Sequence, residues 1–255
     1  MPSHSDRILD QFTRQAAPFA SSASIRNEEA LNRIVQWAGT SPEDTVLDVA
    51  SGPGLLVCAF ARAAKNATGV DMTPAMLEQA RKLQKEKGLT NVSWQPGDVY
   101  ALPFPQPQFS IVSSRFAFHH FQDPLAALKE MKRVCLPGGR IVVADMAPLP
   151  EKAAALNAAE LLRDPSHARA LPEQELRELF AQAGLADPQV NHYRVEGEME
   201  ELLARSFPND GDADRLRKIF ADSIANNALD LNTRQEDGKI YYSFPVAVLV
   251  AKKRD

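Results

Sequence analysis

The sequence predicts an α/β domain with a doubly wound, largely parallel sheet. Three observations carry this prediction. Apolar runs of strand length alternate with helical runs from Thr45 onward. Two of the helical runs share one punctuation: a polar cap, a proline at the first position and a closing glycine. Acids recur where the strand-like runs end, at Asp48, Asp71 and Asp98.

The elements follow in order. In "SIRNEEALNRIVQWAG", Ile25, Leu31, Ile34 and Val35 share one helical face and Gly39 stops the helix. "TVLDVA" is a buried strand, and the helix after it starts near Pro53 and runs through "LLVCAFARAA". "ATGVD" is a second strand. "TPAMLEQARKLQKEKG" is a helix with Thr73 as N-cap, Pro74 first and Gly88 past the end. "VSWQ" and "FSIVSS" are the third and fourth strands. "DPLAALKEMKRVCLPGG" repeats the cap–proline–glycine pattern, and "RIVVADM" is the fifth strand. "AAALNAAELLRDPSHARALP" interrupts the alternation with extra helix, and "PEQELRELFAQAG" resumes it. "PQVNHYRVEG" and "YYSFPVAVLVAKK" are the last strands. One domain, 1–255, is expected: an N-terminal helical cap over 1–40, a ligand-binding core over 41–146, and insertions over 147–171 and 196–238 that cover the active face.

Composition narrows the function. Of 255 residues, 44% are apolar and 24% charged, and the net charge is −4. Lys and Arg are spread out rather than gathered into a basic stripe, which argues against a nucleic-acid partner. Cys58 and Cys135 have no metal-type spacing and read as reduced helix residues, so a cytoplasmic protein with no metal is expected. The N-terminus has no long apolar run, so no signal peptide is expected. No stretch approaches the ~20 apolar residues of a membrane span. A homodimer is compatible with these features.

Gly52 and Gly54 stand where the first strand turns into a helix. In dinucleotide-binding sheets that corner takes a pyrophosphate through G-x-G-x-x-G. Here the third position is Val57, and Asp48 lies in the strand itself. A carboxylate there repels a pyrophosphate and suits an ammonium. Asp71, 17 residues after Gly54, is placed to accept both hydroxyls of a ribose. Met72 and Met76 can pack against a purine, and Asp98 with the Val99 backbone can read its amino edge. Each acid alone would serve equally well as a cap or turn residue; the set points to the ligand crevice of an open sheet.

"VLDVASGPG", "GVDMTPAMLEQA", "GDVYALPFPQPQFSIVSSRFAFHHF" and "LKEMKRVCLPGGRIVVADM" together resemble the class I S-adenosylmethionine-dependent methyltransferases. The subgroup they resemble is the ubiquinone/menaquinone-biosynthesis-type (methyltransferase type 11) enzymes of small molecules, over roughly residues 12–184. The resemblance implies a Rossmann-like seven-stranded sheet, six strands parallel and the last reversed. It implies that Ala50, Gly52 and Gly54 contact the methionine part of the cofactor, that Asp71 binds its ribose and that Asp98 and Val99 bind its adenine. Arg115 and Phe116 would line the methionine side, while Phe12, Gln15 and Phe19 would fold over it. S-adenosylhomocysteine is the implied product. "LLRDPSHARAL" is similar to uncharacterised bacterial members and names no substrate.

A sulfonium methyl is already activated, so the protein mainly aligns the reactants. A base is needed only if the acceptor loses a proton. His120 and His167 are the catalytic candidates; His119, Arg163, Asp164 and Arg169 are candidates for orienting an anionic or phenolic acceptor. His119 and His120 should face different ways on a helix, which disfavours a shared metal. The bland alternatives are packing for the histidines and a solvated turn for "LRDPSHAR". "SSRFAFHH" lacks the Pro-Pro-aromatic pattern of amino-methylating nucleic-acid enzymes, and Phe116, Phe118, Phe121, Tyr241, Tyr242 and Phe244 suggest an apolar pocket or core. The expected partner is an aromatic, quinone-like or heterocyclic small molecule, methylated on carbon, oxygen or nitrogen. Two rivals stay open at this point: a non-catalytic binder of S-adenosylmethionine or its product, and a nicotinamide-dependent oxidoreductase.

Overall fold

Val46 and Leu47 are adjacent, fully apolar and equally buried, yet they belong to cores on opposite sides of one sheet. The same alternation runs through Ile141 and Val142, and through Val248 and Leu249. Successive strand side chains point to opposite faces, so strands rich in Val, Ile and Leu must be covered on both.

The computed structural model describes residues 3–185 and 187–254. Helix α1 (His4–Ser21) and α2 (Glu28–Trp37) precede β1 (Thr45–Val49), α3 (Leu55–Ala61), β2 (Asn66–Asp71), α4 (Pro74–Glu86), β3 (Val92–Pro96) and β4 (Phe109–Arg115). A 3-10 turn (Phe118–His120) leads to α5 (Pro124–Val134) and β5 (Cys135–Met146). Then come α6 (Ala153–Arg163), α7 (Glu173–Gln182), β6 (Gln189–Glu198), α8 (Met199–Ala204), α9 (Asp212–Ser223), β7 (Arg234–Glu236) and β8 (Lys239–Lys252).

The sheet order is β3-β2-β1-β4-β5-β8-β6. The first five strands are parallel, and β8 runs antiparallel to both β5 and β6. Six strands of this path therefore run one way and one the other, as expected. An eighth strand, the short β7, forms a hairpin with β8 and was not expected. Its signal is only the Asp237–Gly238 turn, both residues at positive φ. From β1 the chain winds outward to β3, then returns to β4 on the other side of β1. That reversal opens a crevice beyond the C-terminal ends of β1 and β4.

Two local differences stand out. Helix α5 ends at Val134, and "CLPGG" continues as strand: Cys135 pairs with Phe109 before a register shift. Cys135 is thus a strand residue, not a helical one; both cysteines are free and buried. Thr73 precedes α4 without a capping side-chain bond, and its N–H donates to Asp71 at 2.8 Å. Asp123, by contrast, caps α5 as expected, accepting from Ala126 N–H at 2.9 Å. Over the crevice lies α1, started by a Ser3–Asp6 capping box. No helix among the described residues is long and apolar enough to cross a membrane.

Candidate active site

The crevice is shaped first by backbone. Ala50, Gly52 and Gly54 all have positive φ, 53°, 51° and 79°. Gly52 has room for a side chain, its nearest neighbour being Met76 Sδ at 3.9 Å, so it is glycine for its φ. Gly54 is different: a Cβ there would meet the Trp94 ring at 2.3 Å. Gly54 serves the packing of β3 against α3 and does not line the crevice.

Carboxylates then fix the loop. Asp71 accepts the Gly52 N–H with one oxygen and the Thr73 N–H with the other, each at 2.8 Å. Burial raises its carboxyl above the ordinary carboxylate range, against those two bonds. Asp48 accepts the Ser113 hydroxyl at 2.6 Å, and burial pushes it up to about 7. Asp98 is exposed at the rim and accepts the Tyr100 N–H at 2.9 Å. The Ser51 hydroxyl is buried with no partner among the described residues. Arg115 lies 4.2 Å over the ring of Phe116, itself at φ 55°.

The cleft encloses about 1070 Å³, its open mouth included. It is lined by Phe12, Phe19, Asp48, Ala50, Gly52, Asp71, Met72, Met76, Asp98, Val99, Arg115 and Phe116, so the sequence-predicted set converges there except for Gly54 and Gln15, the latter lying in the second cavity because its amide is turned to Asp164. From α1 the structure adds His4, Ser5 and Ile8, which carried no signal beyond the helical pattern.

A second cavity of about 610 Å³, its opening included, adjoins the first. The two share Phe12, Phe19, Phe116 and His120 as a common wall. Phe12 meets the His120 ring edge-on at 4.9 Å. The His119 and His120 rings do not diverge: their centroids are 4.3 Å apart, because a tight 3-10 turn rather than an α-helix carries them. His119 Nδ1 lies 2.6 Å from Asp145 Oδ1. His120 Nδ1 lies 3.0 Å from the Ser166 carbonyl, an acceptor, so Nδ1 carries the proton and Nε2 the lone pair. Burial pushes His120 down to about 4, so it is neutral at pH 7. Asp164, held near 2 despite burial by His120 and Arg163, accepts from Gln15 and twice from Ser166.

Arg163 lines this cavity, bonded to Glu160 at 2.7 Å. His167 and Arg169 do not. His167 donates Nε2–H to the Asn157 amide oxygen at 2.7 Å, its Nδ1 is buried without a partner among the described residues, and burial holds it near 2. Arg169 points to the surface and pairs with Glu175. Sequence reasoning missed Asp145, Glu160 and Arg205. Asp145 had a signal, an acid at a strand end like Asp48 and Asp71; the other two had none. Among the described residues no group of three His, Cys, Asp or Glu is placed to hold a metal ion.

Residues 47–143 match the family model described as a methyltransferase domain. The uncharacterized methyltransferase YcgJ of Bacillus subtilis is 31% identical over 211 residues, 82% of either chain. The chain belongs to the class I S-adenosylmethionine-dependent methyltransferases. This methyltransferase superposes on the YcgJ crystal structure with a TM-score of 0.80 at 27% identity, over 89% of this chain and 99% of the other. It is also 38% identical over 123 residues to the demethylmenaquinone methyltransferase of Thermus thermophilus, 48% of this chain and 56% of that one. Its methyl donor is S-adenosylmethionine, which sets aside the nicotinamide reading and the non-catalytic one. The donor set suits the cofactor: buried acids for an amine and a diol, and an orphaned Ser51 hydroxyl beside them.

Proposed function

We propose that this methyltransferase acts on a small aromatic or heterocyclic molecule held in the second cavity. The observation that carries the reading is the shared wall of Phe12, Phe19, Phe116 and His120, across which a donor in one chamber and an acceptor in the other would meet. In the cleft, Asp71 holds the ribose hydroxyls, Asp98 and Val99 the adenine edge, and Met72 and Met76 the purine face. Asp48, Ala50, Gly52, Arg115 and Phe116 surround the methionine part, with Phe19 above. S-adenosylmethionine supplies, when bound, a methyl already activated on a sulfonium. A polynucleotide acceptor fits neither the cavity's size nor the net charge of −4.

The histidines divide the remaining work. An imidazolium is stabilised by a carboxylate at hydrogen-bond distance. His119 has one, Asp145, whereas the Nδ1–H of His120 faces only a carbonyl and a hydroxyl. His119 therefore takes the proton that an acceptor O–H or N–H releases. His120 Nε2 accepts a hydrogen bond that orients the acceptor at the wall. His167 stays outside both roles, since it reaches neither cavity.

The test is a transfer assay over phenols, quinols and N-heterocycles, with His119→Asn beside the native enzyme. A fall of about 10²-fold or more in turnover is expected, in the range of general-base effects, with S-adenosylhomocysteine affinity unchanged. Undiminished turnover in the variant would remove His119 as the base. Cofactor binding without turnover of any of these acceptors would remove the acceptor class.

A further inference from the structure

We propose that Arg205 is the docking point for an anionic group, a carboxylate or a phosphate ester, on the methyl acceptor; this rests on the second cavity being the acceptor site. Arg205 follows α8, is only 8% exposed and lines the second cavity but not the first. Its partners are all neutral. Nη1 donates to the Ser22 and Ser24 hydroxyls, and Nη2 donates to the Tyr242 hydroxyl at 3.2 Å. Among the described residues no carboxylate lies within salt-bridge distance of it.

The contrast with Arg163 decides the point. Both arginines line the same cavity. Arg163 is bonded to Glu160 at 2.7 Å and lies 3.9 Å from Asp164, so the cavity's two carboxylates are gathered on one guanidinium. Asp164 is further occupied by Gln15 and Ser166, and His119 is turned to Asp145. The sequence suggested Arg163 and Arg169 for an anionic acceptor. The first is neutralised and the second faces solvent, which leaves Arg205.

A buried cation without a counter-charge is costly, and hydroxyls only soften the cost. A guanidinium has five N–H groups, and three are used here. The Nε–H and one Nη2–H remain. Nε and Nη2 share an edge of the guanidinium plane, and such an edge matches the two oxygens of a carboxylate or phosphate. A purely structural pin between the α1–α2 loop and β8 would need the three existing bonds and no open edge on the cavity.

The test uses the full chain saturated with S-adenosylhomocysteine, in a buffer free of small carboxylates and phosphates. Benzoate, phenyl phosphate and neutral benzamide are titrated by calorimetry. At least one anion is expected to bind tenfold or more tighter than benzamide. Arg205→Gln should bring the anions to within about twofold of benzamide while S-adenosylhomocysteine affinity holds. Arg205→Lys, which keeps the charge but loses the planar edge, should retain part of the preference and serves if the glutamine variant does not fold. Tyr242→Phe, which removes a neutral partner only, should keep the preference. Benzamide binding as tightly as both anions, or a preference that survives Arg205→Gln, overturns the inference and leaves the acceptor cavity standing. If none of the three probes binds, the acceptor-cavity reading falls and the inference falls with it.

Discussion

The two cavities share a wall but are built by different means. The first is floored by strand ends and loop backbone, with α1 over them, and Asp71 fixes its glycine loop over short spans, holding Thr73 two residues away and Gly52 nineteen away. The second is made of side chains from α1, the 3-10 turn, β5, α6 and the residues after α8. Gln15 reaches Asp164 across 149 residues, and Arg205 reaches Ser24 across 181. The difference teaches where a general ligand and a particular one are recognised. A cofactor used by a whole family fits a backbone corner and a few acids. Under the proposed function, the acceptor is read by a network that only the tertiary fold assembles.

The largest expected effect breaks the first cavity. Asp71→Ala should lower S-adenosylhomocysteine affinity by about 100-fold or more, measured by calorimetry. Stability should fall as well, because the Gly52 and Thr73 N–H groups lose their acceptor; each buried orphan costs about 1–3 kcal/mol. Unchanged affinity would remove the ribose assignment.

Asp48→Asn should separate what Asp71→Ala joins. Affinity is expected to fall about tenfold, since the charge facing an ammonium is gone, a loss of ~1–2 kcal/mol for a hydrogen bond to a charged group. Stability should rise. Burial lifts the Asp48 carboxyl from 3.8 to about 7, so the native state keeps its proton to higher pH than the unfolded chain does. Between those values the native protein binds more protons, and unfolding becomes easier as pH rises. Asparagine removes that loss, on the order of a few kcal/mol, and can still accept the Ser113 hydroxyl. The gain in melting temperature should therefore be larger at pH 8 than at pH 5. In the native protein, cofactor affinity should strengthen from pH 6 to pH 8 as Asp48 ionises. A flat affinity profile over that range would show that Asp48 carries no charge toward the ligand.

The same contrast explains what the sequence could disclose. The alternation of β and α runs, the acids after β1, β2 and β3, and the glycine turn are local patterns, and they located the sheet and the first cavity. Gly54 was assigned to the ligand because its pattern is local, whereas the Trp94 ring that requires it comes from β3. His119 and His120 were legible as a pair but not as rings in contact, because a 3-10 turn gives no periodicity to detect. Arg163, Arg169 and Arg205 look alike in sequence. Burial and the position of Glu160 and Glu175 make them a neutralised, a surface and an uncompensated cation respectively.

The smallest expected effect marks the outer limit of the second cavity. Arg169→Ala should leave turnover and cofactor affinity within about twofold. Its side chain is 55% exposed and paired with Glu175, and such surface pairs contribute about 0–1 kcal/mol. What position 169 gives the site is backbone: its N–H, with that of Ala168, donates to the His119 carbonyl and ties the segment after α6 to the histidine turn. Alanine keeps that bond. A fall of more than fivefold in turnover would mean that the acceptor reaches past Asp164 to the surface, and the boundary between the network and solvent would have to be redrawn there.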